Sequence, residues 1–148
     1  MELQVEEARA LYGDVDRVHD FDHILRVLRL VERIGRAEGA DWTVLKPAAL
    51  LHDWGRLEAE SQSRDHAAEA AARTRALLEA RGEPEDRIQA VTHAIAAHRF
   101  RSGPEPKSLE AEVLFDADKL DAIGAIGIAR VFAYSGAHHQ ALWAPRDA

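Results

Sequence analysis

Eight histidines and no cysteine stand out in this 148-residue chain, so a transition-metal site here must be built from imidazole and carboxylate. Neutral imidazole nitrogen and ionised carboxylate oxygen are good ligands for divalent metals, provided several converge from different rigid elements. The stretch AALLHDWGR, Ala48 to Arg56, sets His52 beside Asp53 at the end of an apolar run. Polar groups there are costly unless something pairs with them. Neighbouring helical residues point about 100° apart, so both reach one ion only if it lies between them, which is easiest at a helix end. An ordinary helix C-terminus, with the imidazole bonded to a free carbonyl, accommodates the same pair.

Other histidines are sorted by periodicity. His23 shares a helix face with Val27, Leu30, Val31 and Ile34, so it points inward with the core stripe. His98 follows Ile95 by three and lies beside the stripe Ile88, Val91 and Ile95, whereas His93 falls well around the cylinder and reads as a surface or packing residue. His66 opens an alanine-rich helix, where it faces a cleft or merely caps. Asp116, Asp118 and Asp121 lie in apolar surroundings, and spacing does not choose between them. Asp116 falls with Val113, Leu120 and Ile123, and Asp118 with Leu114 and Asp121.

The elements that must position these groups read as helix after helix, with no alternating strand pattern. Helices are expected over Glu6 to Tyr12, from the Asp20 and Asp22 cluster to Gly39, and from Thr43 to His52. Others are expected from Asp65 to Arg81, from Pro84 to Arg99, and from Leu109 to Tyr134, the last interrupted by Gly124 and Gly127. RSGPEPKS, Arg101 to Ser108, reads as a loop. The expected fold is all-α: one compact domain over 1–148 of about six helices, with a core over about 19–134 and a poorly ordered tail over 135–148. No run of about 18 apolar residues suggests a membrane span, and the acidic N-terminus lacks an export pattern, so a cytoplasmic location is expected. A formal charge of −7 argues against a broad face for a nucleic-acid polymer. It leaves room for a small anion, because a bound metal reverses the local sign.

Taken in order, His23, the His52–Asp53 pair and Asp118 within ADKL (Ala117 to Leu120) resemble the HD-domain superfamily of metal-dependent phosphohydrolases. HDFDHILRV (His19 to Val27), AALLHDWGR and FDADKLDAIGAIGIAR (Phe115 to Arg130) look like one bacterial, nucleotide-phosphohydrolase-like branch, over roughly His19 to Tyr134. The resemblance implies that His23, His52, Asp53 and Asp118 ligate one divalent ion. Asp118 is preferred over Asp116 because it follows the alanine and precedes the basic residue. His66 and His98 sit where two-metal members carry further ligands, and are assigned to a second metal or to substrate phosphate. His19–Asp20 is then a decoy for the motif. The acidic pair that follows the His-Asp motif in alarmone-hydrolysing members is replaced by Trp54 and Gly55, which argues against that substrate. Relatives of this branch continue through further helices past the point matching Ala148.

The function so implied is hydrolysis of a phosphoester or phosphoanhydride, expected in a nucleotide, by metal-activated water. The ion would be Mn²⁺, Fe²⁺, Co²⁺, Ni²⁺, Zn²⁺ or Mg²⁺. Bound to zinc, water falls from a pKa of about 15.7 to about 7, and Asp53 is expected to orient or deprotonate it as well as to ligate. Lys119 and Arg99, then Arg56, Arg101 and Lys107, are the candidate phosphate contacts. Two other readings share the metal: a nucleotide-binding protein without turnover, and a di-iron oxygenase on the same scaffold.

Overall fold

Eight helices account for nearly all the regular structure of the computed structural model, which describes residues 3–13, 21–99, 103–141 and 143; no strand occurs among them. They are α1 (Val5–Tyr12), α2 (Phe21–Glu38), α3 (Trp42–Leu51), α4 (Arg56–Ser61), α5 (His66–Ala80), α6 (Glu85–Ala97), α7 (Leu109–Asp121) and α8 (Gly124–Ala137). Among the described residues no single helix is long and apolar enough to cross a membrane.

The centre of the fold is α3, whose Val44, Leu45, Ala48, Ala49, Leu50 and Leu51 are all buried, with α1, α2, α6 and α7 packed around it. Burying each large apolar side chain stabilises by about 1.5–3 kcal/mol. Together they outweigh the ~3 kcal/mol that an interior proline costs a helix, and so α3 tolerates Pro47. Pro47 has no N–H for the Thr43 carbonyl. That carbonyl instead accepts from Arg87 on α6, at 3.2 Å from Nε and 3.1 Å from the terminal nitrogen. Helix α3 starts at Trp42, one residue before the Thr43 expected, with Asp41 as its cap: the Asp41 carboxylate accepts from the Thr43 N–H at 2.8 Å.

Asp65 caps α5 by accepting from the Ala67 N–H at 2.9 Å, and α5 packs most extensively against α6. The expectation of about six helices undercounts for two reasons. After Gly55 adopts a left-handed conformation (φ 86°), six residues wind into α4, too short to show a periodicity. The last segment is two helices bent by 68°. At that bend Gly124 has φ 69°, and a Cβ on Gly127 would lie 2.1 Å from the Ala122 carbonyl oxygen, so the glycines there serve both a break and a close approach. Helix α8 runs to Ala137 and packs chiefly on α7, leaving Ile128, Val131 and Phe132 exposed. Residues 142 and 144–148 lie outside the described residues, as do His19, Asp20 and Arg101.

Candidate metal centre

The apolar run of α3 delivers His52 as its last turn closes. His52 Nδ1 bonds the Ala49 carbonyl at 2.8 Å, and the Trp54 N–H then bonds the Leu51 carbonyl, turning the chain so that Asp53 faces the same interior. The two readings of the His-Asp pair are therefore compatible: one ring nitrogen finishes a helix while the other faces a cluster. His98 repeats the device at the end of α6, with Nδ1 on the Ile95 carbonyl at 2.6 Å. His23, from α2, donates through Nδ1 to Asp121 at 2.7 Å. A proton held at Nδ1 leaves the Nε2 lone pair free, as metal ligation requires.

Those Nε2 atoms meet carboxylates in two groups of possible ligands, His23, His52 and Asp118, and Asp53, His66 and His98. In the first, His23 Nε2 lies 3.4 Å from His52 Nε2 and 3.3 Å from Asp118 Oδ1. Asp53 stands between the groups. Its Oδ2 is 3.8 Å from both His23 and His52, and its Oδ1 is 3.7 Å from both His66 and His98. Two ligands each about 2.1 Å from a tetrahedral ion lie ~3.4 Å apart, so these spacings, long for hydrogen bonds, suit donors around a cation. Asp53 Oδ1 is buried without a hydrogen-bond partner, an arrangement a cation would relieve. The donor set thus fits a divalent metal.

Electrostatics agree with this. Burial pushes the Asp53 carboxyl up, but the His52 imidazole, the Arg56 guanidinium and the His98 and His23 imidazoles hold it well below the usual carboxylate range. Burial likewise opposes ionisation of Asp118, and His23, His52 and Lys119 overcome it. Burial lowers the His66 and His98 pKa values to about 4 and also lowers that of His52, keeping these rings neutral. For His23, burial is outweighed by Asp118, Asp53 and Asp121, which raise its pKa.

The three aspartates of α7 separate by burial: Asp116 is exposed, Asp118 reaches the first group, and Asp121 is buried beneath His23. The sequence places Asp121 on one face with Asp118 and assigns it no role at the site; its contact with His23, 98 residues away, comes only from the packing of α2 on α7. Asp121 also accepts from Arg26 at 2.7 and 3.0 Å and from Arg130 at 3.1 Å. Three of the basic residues expected to contact phosphate, Lys119, Arg99 and Arg56, are engaged with protein groups. Lys119 donates to Asp118 at 2.6 Å and to the His98 carbonyl at 2.8 Å, joining the two ligand groups. Arg99 pairs with Asp65 at 3.0 Å, and Arg56 with Asp53 at 3.0 Å and Glu60 at 2.8 Å. His93 accepts from the Lys107 N–H at 3.0 Å on the far side of α6, and His138 stacks on Tyr134 at the exposed end of α8.

A helical fold that gathers His23, a His-Asp pair and a late aspartate defines a class of metal-dependent hydrolases. The family model of the HD domain matches residues 20–123, and the chain belongs to that family. It is 34% identical over 148 residues to the uncharacterized protein YpgQ of Bacillus subtilis, an alignment spanning 95% of this chain and 70% of YpgQ. Its fold is similar to the crystal structure of a predicted HD superfamily hydrolase from an uncultured Thermotogales bacterium. There the TM-score is 0.76 and the identity 37%, over 88% of this chain and 72% of that one. The crystal structure of B. subtilis YpgQ in complex with ADP matches with a TM-score of 0.74 and 32% identity, over 96% of this chain and 73% of that one.

Proposed function

We propose that the chain is a divalent-metal-dependent phosphohydrolase acting on a phosphoester or phosphoanhydride bond of a nucleotide. The observation that carries this reading is the set of three buried imidazoles, each tied through Nδ1 and presenting Nε2 toward a carboxylate that has one buried, unpartnered oxygen. His23, His52, Asp53 and Asp118 would hold one ion, with Asp53, His66 and His98 able to hold a second. A divalent ion supplies a Lewis acid for a phosphoryl oxygen and lowers the pKa of water, giving hydroxide near neutral pH.

The chain's own residues do the rest. Asp53, paired with Arg56 at 3.0 Å, would accept a proton from the attacking water. Lys119 holds one oxygen of Asp118 and leaves the other for ligation. Arg56 and Arg99 bring guanidinium charge to the rim of the centre, where exchange of Glu60 or Asp65 for substrate phosphate keeps each paired. The ADP bound to YpgQ supports a nucleotide as the ligand class.

Metal analysis of the purified protein, followed by a nucleotide panel with added Mn²⁺, Co²⁺, Mg²⁺ or Zn²⁺ and assay of released phosphate and pyrophosphate, tests the proposal. Bound divalent metal and metal-dependent release are expected. Tight nucleotide binding with no release from any substrate would establish a binding protein instead, and two irons per chain with matching optical bands would favour oxygen chemistry.

A further inference from the structure

A cavity of about 250 Å³ opens directly beside the cluster, with His23 and Asp53 at its inner end. Its walls come from the tail of α1 and from the turn that follows Asp53, and include Leu11, Tyr12, Trp54 and Leu57. Both aromatic side chains have their polar tips committed elsewhere. The Tyr12 hydroxyl donates to the Leu50 carbonyl at 2.9 Å, and the Trp54 indole N–H donates to the Leu11 carbonyl at 3.0 Å. Those bonds lock the rings, and what remains for the cavity is flat apolar surface. Beyond the inner end, polar character comes from Arg56 beside Asp53 and from the rim, where Glu58 and Arg73 are ion-paired. The Arg73 guanidinium lies over Trp54, 6.0 Å from the ring centroid. It reaches that place because residue 55 is glycine: a Cβ there would come within 2.6 Å of the guanidinium carbon.

These features divide the ligand between the two ends of the space. Phosphate is poorly served by Leu11, Tyr12, Trp54 and Leu57 and would face the Glu58 carboxylate there, whereas Arg56, paired with Asp53 and Glu60, puts a guanidinium at the end of the cavity next to the metal ligands. A planar ring is well served, since it can lie on apolar walls while its edge meets a carboxylate acceptor and a guanidinium donor. We propose that this cavity holds the nucleobase of the substrate, with Trp54 and Tyr12 as its walls and Glu58 and Arg73 at its hydrogen-bonding edge, so that the phosphates extend to the metal ligands. The proposal rests on the reading of the protein as a nucleotide phosphohydrolase, but base binding in the cavity requires neither metal nor turnover.

The test uses metal-free protein in which Trp42→Phe and Trp143→Phe leave Trp54 as the only tryptophan, excited selectively at the red edge where tyrosine does not absorb. Titration with adenosine, guanosine, cytidine and thymidine should give saturable quenching by at least one nucleoside, whereas ribose 5-phosphate gives none. Leu57→Arg, at an exposed wall position, should weaken that binding about tenfold or more by replacing apolar wall with a solvated charge. Equilibrium dialysis of the same nucleosides against unaltered protein supplies the measurement if the double variant does not fold. Saturable binding that Leu57→Arg weakens supports the proposal even where no substrate is hydrolysed. Nucleotide hydrolysis without nucleoside binding, ribose 5-phosphate binding as tightly as the nucleosides, or nucleoside binding indifferent to Leu57→Arg each overturns it.

Discussion

Asp53 is the residue on which the centre turns, because its two carboxylate oxygens face different histidine pairs and one of them has no hydrogen-bond partner. Asp53→Ala should abolish metal binding and activity while the helical far-ultraviolet signal persists; full metal occupancy in that variant would sink the assignment. One step out, Asp121 acts through His23. Its carboxylate fixes the ring proton at Nδ1 and is itself held by Arg26 and Arg130. Losing such an outer partner weakens metal affinity roughly 10–100-fold. Asp121→Asn should therefore raise the Mn²⁺ dissociation constant in that range, read by electron paramagnetic resonance titration, with the fold retained. An unchanged constant would remove Asp121 from the centre.

At the scale of elements, the ligands depend on where α3 stops and on what holds it to α6. Arg87 supplies the Thr43 carbonyl with the donor that Pro47 lacks, and so fastens α6, which carries His98, to α3, which delivers His52. Arg87→Ala alone should lower stability by about 1 kcal/mol, the usual net worth of such a bond. In a Pro47→Ala background the restored amide can serve Thr43, so the same substitution should cost less. A double-mutant cycle by urea unfolding measures the difference, and equal costs in the two backgrounds would show that Arg87 acts elsewhere. Legibility in the sequence follows the same elements. Of the α2 stripe, His23, Val27 and Val31 are buried and Leu30 and Ile34 partly so, and the apolar run of α3 is buried throughout, whereas α4 is shorter than two turns and the break before α8 hangs on a carbonyl contact with Gly127. Neither leaves a periodic signature.

For the whole molecule, the gathered imidazoles make stability sensitive to pH. His66 and His98 have folded pKa values near 4, against about 6.5 in an unfolded chain. As pH falls from about 6.5 toward 4 the unfolded state takes up protons that the native state refuses, so their contribution is present above that window and lost within it. His52 acts in the same direction. His23, with a raised pKa, contributes fully below about 6.5 and less as pH rises through its folded value. Asp53 and Asp118 add a further loss only below about pH 4. The urea midpoint of metal-free protein should fall between pH 6.5 and 4.5, and a flat or rising profile would contradict the neutral histidine assignment. At pH 7.5, Mn²⁺ at a hundred times its dissociation constant should add ~2.7 kcal/mol. That gain should shrink on acidification, because protons compete for the same nitrogens.

Helical class, the inward face of His23 and the exclusion of thiolate chemistry were all readable from residue types and short-range spacing, because a helix repeats every few residues and its partners lie within the same turn or two. Motif order carried the family. Only the folded chain decided that Asp121 lies beneath His23 98 residues away, and that Lys119 bridges Asp118 to the end of α6 instead of standing free. It also decided that α1 walls a cavity against the turn after Asp53. Those relations join residues from different helices, and their geometry is set by packing around α3, a property that no local window of the sequence contains.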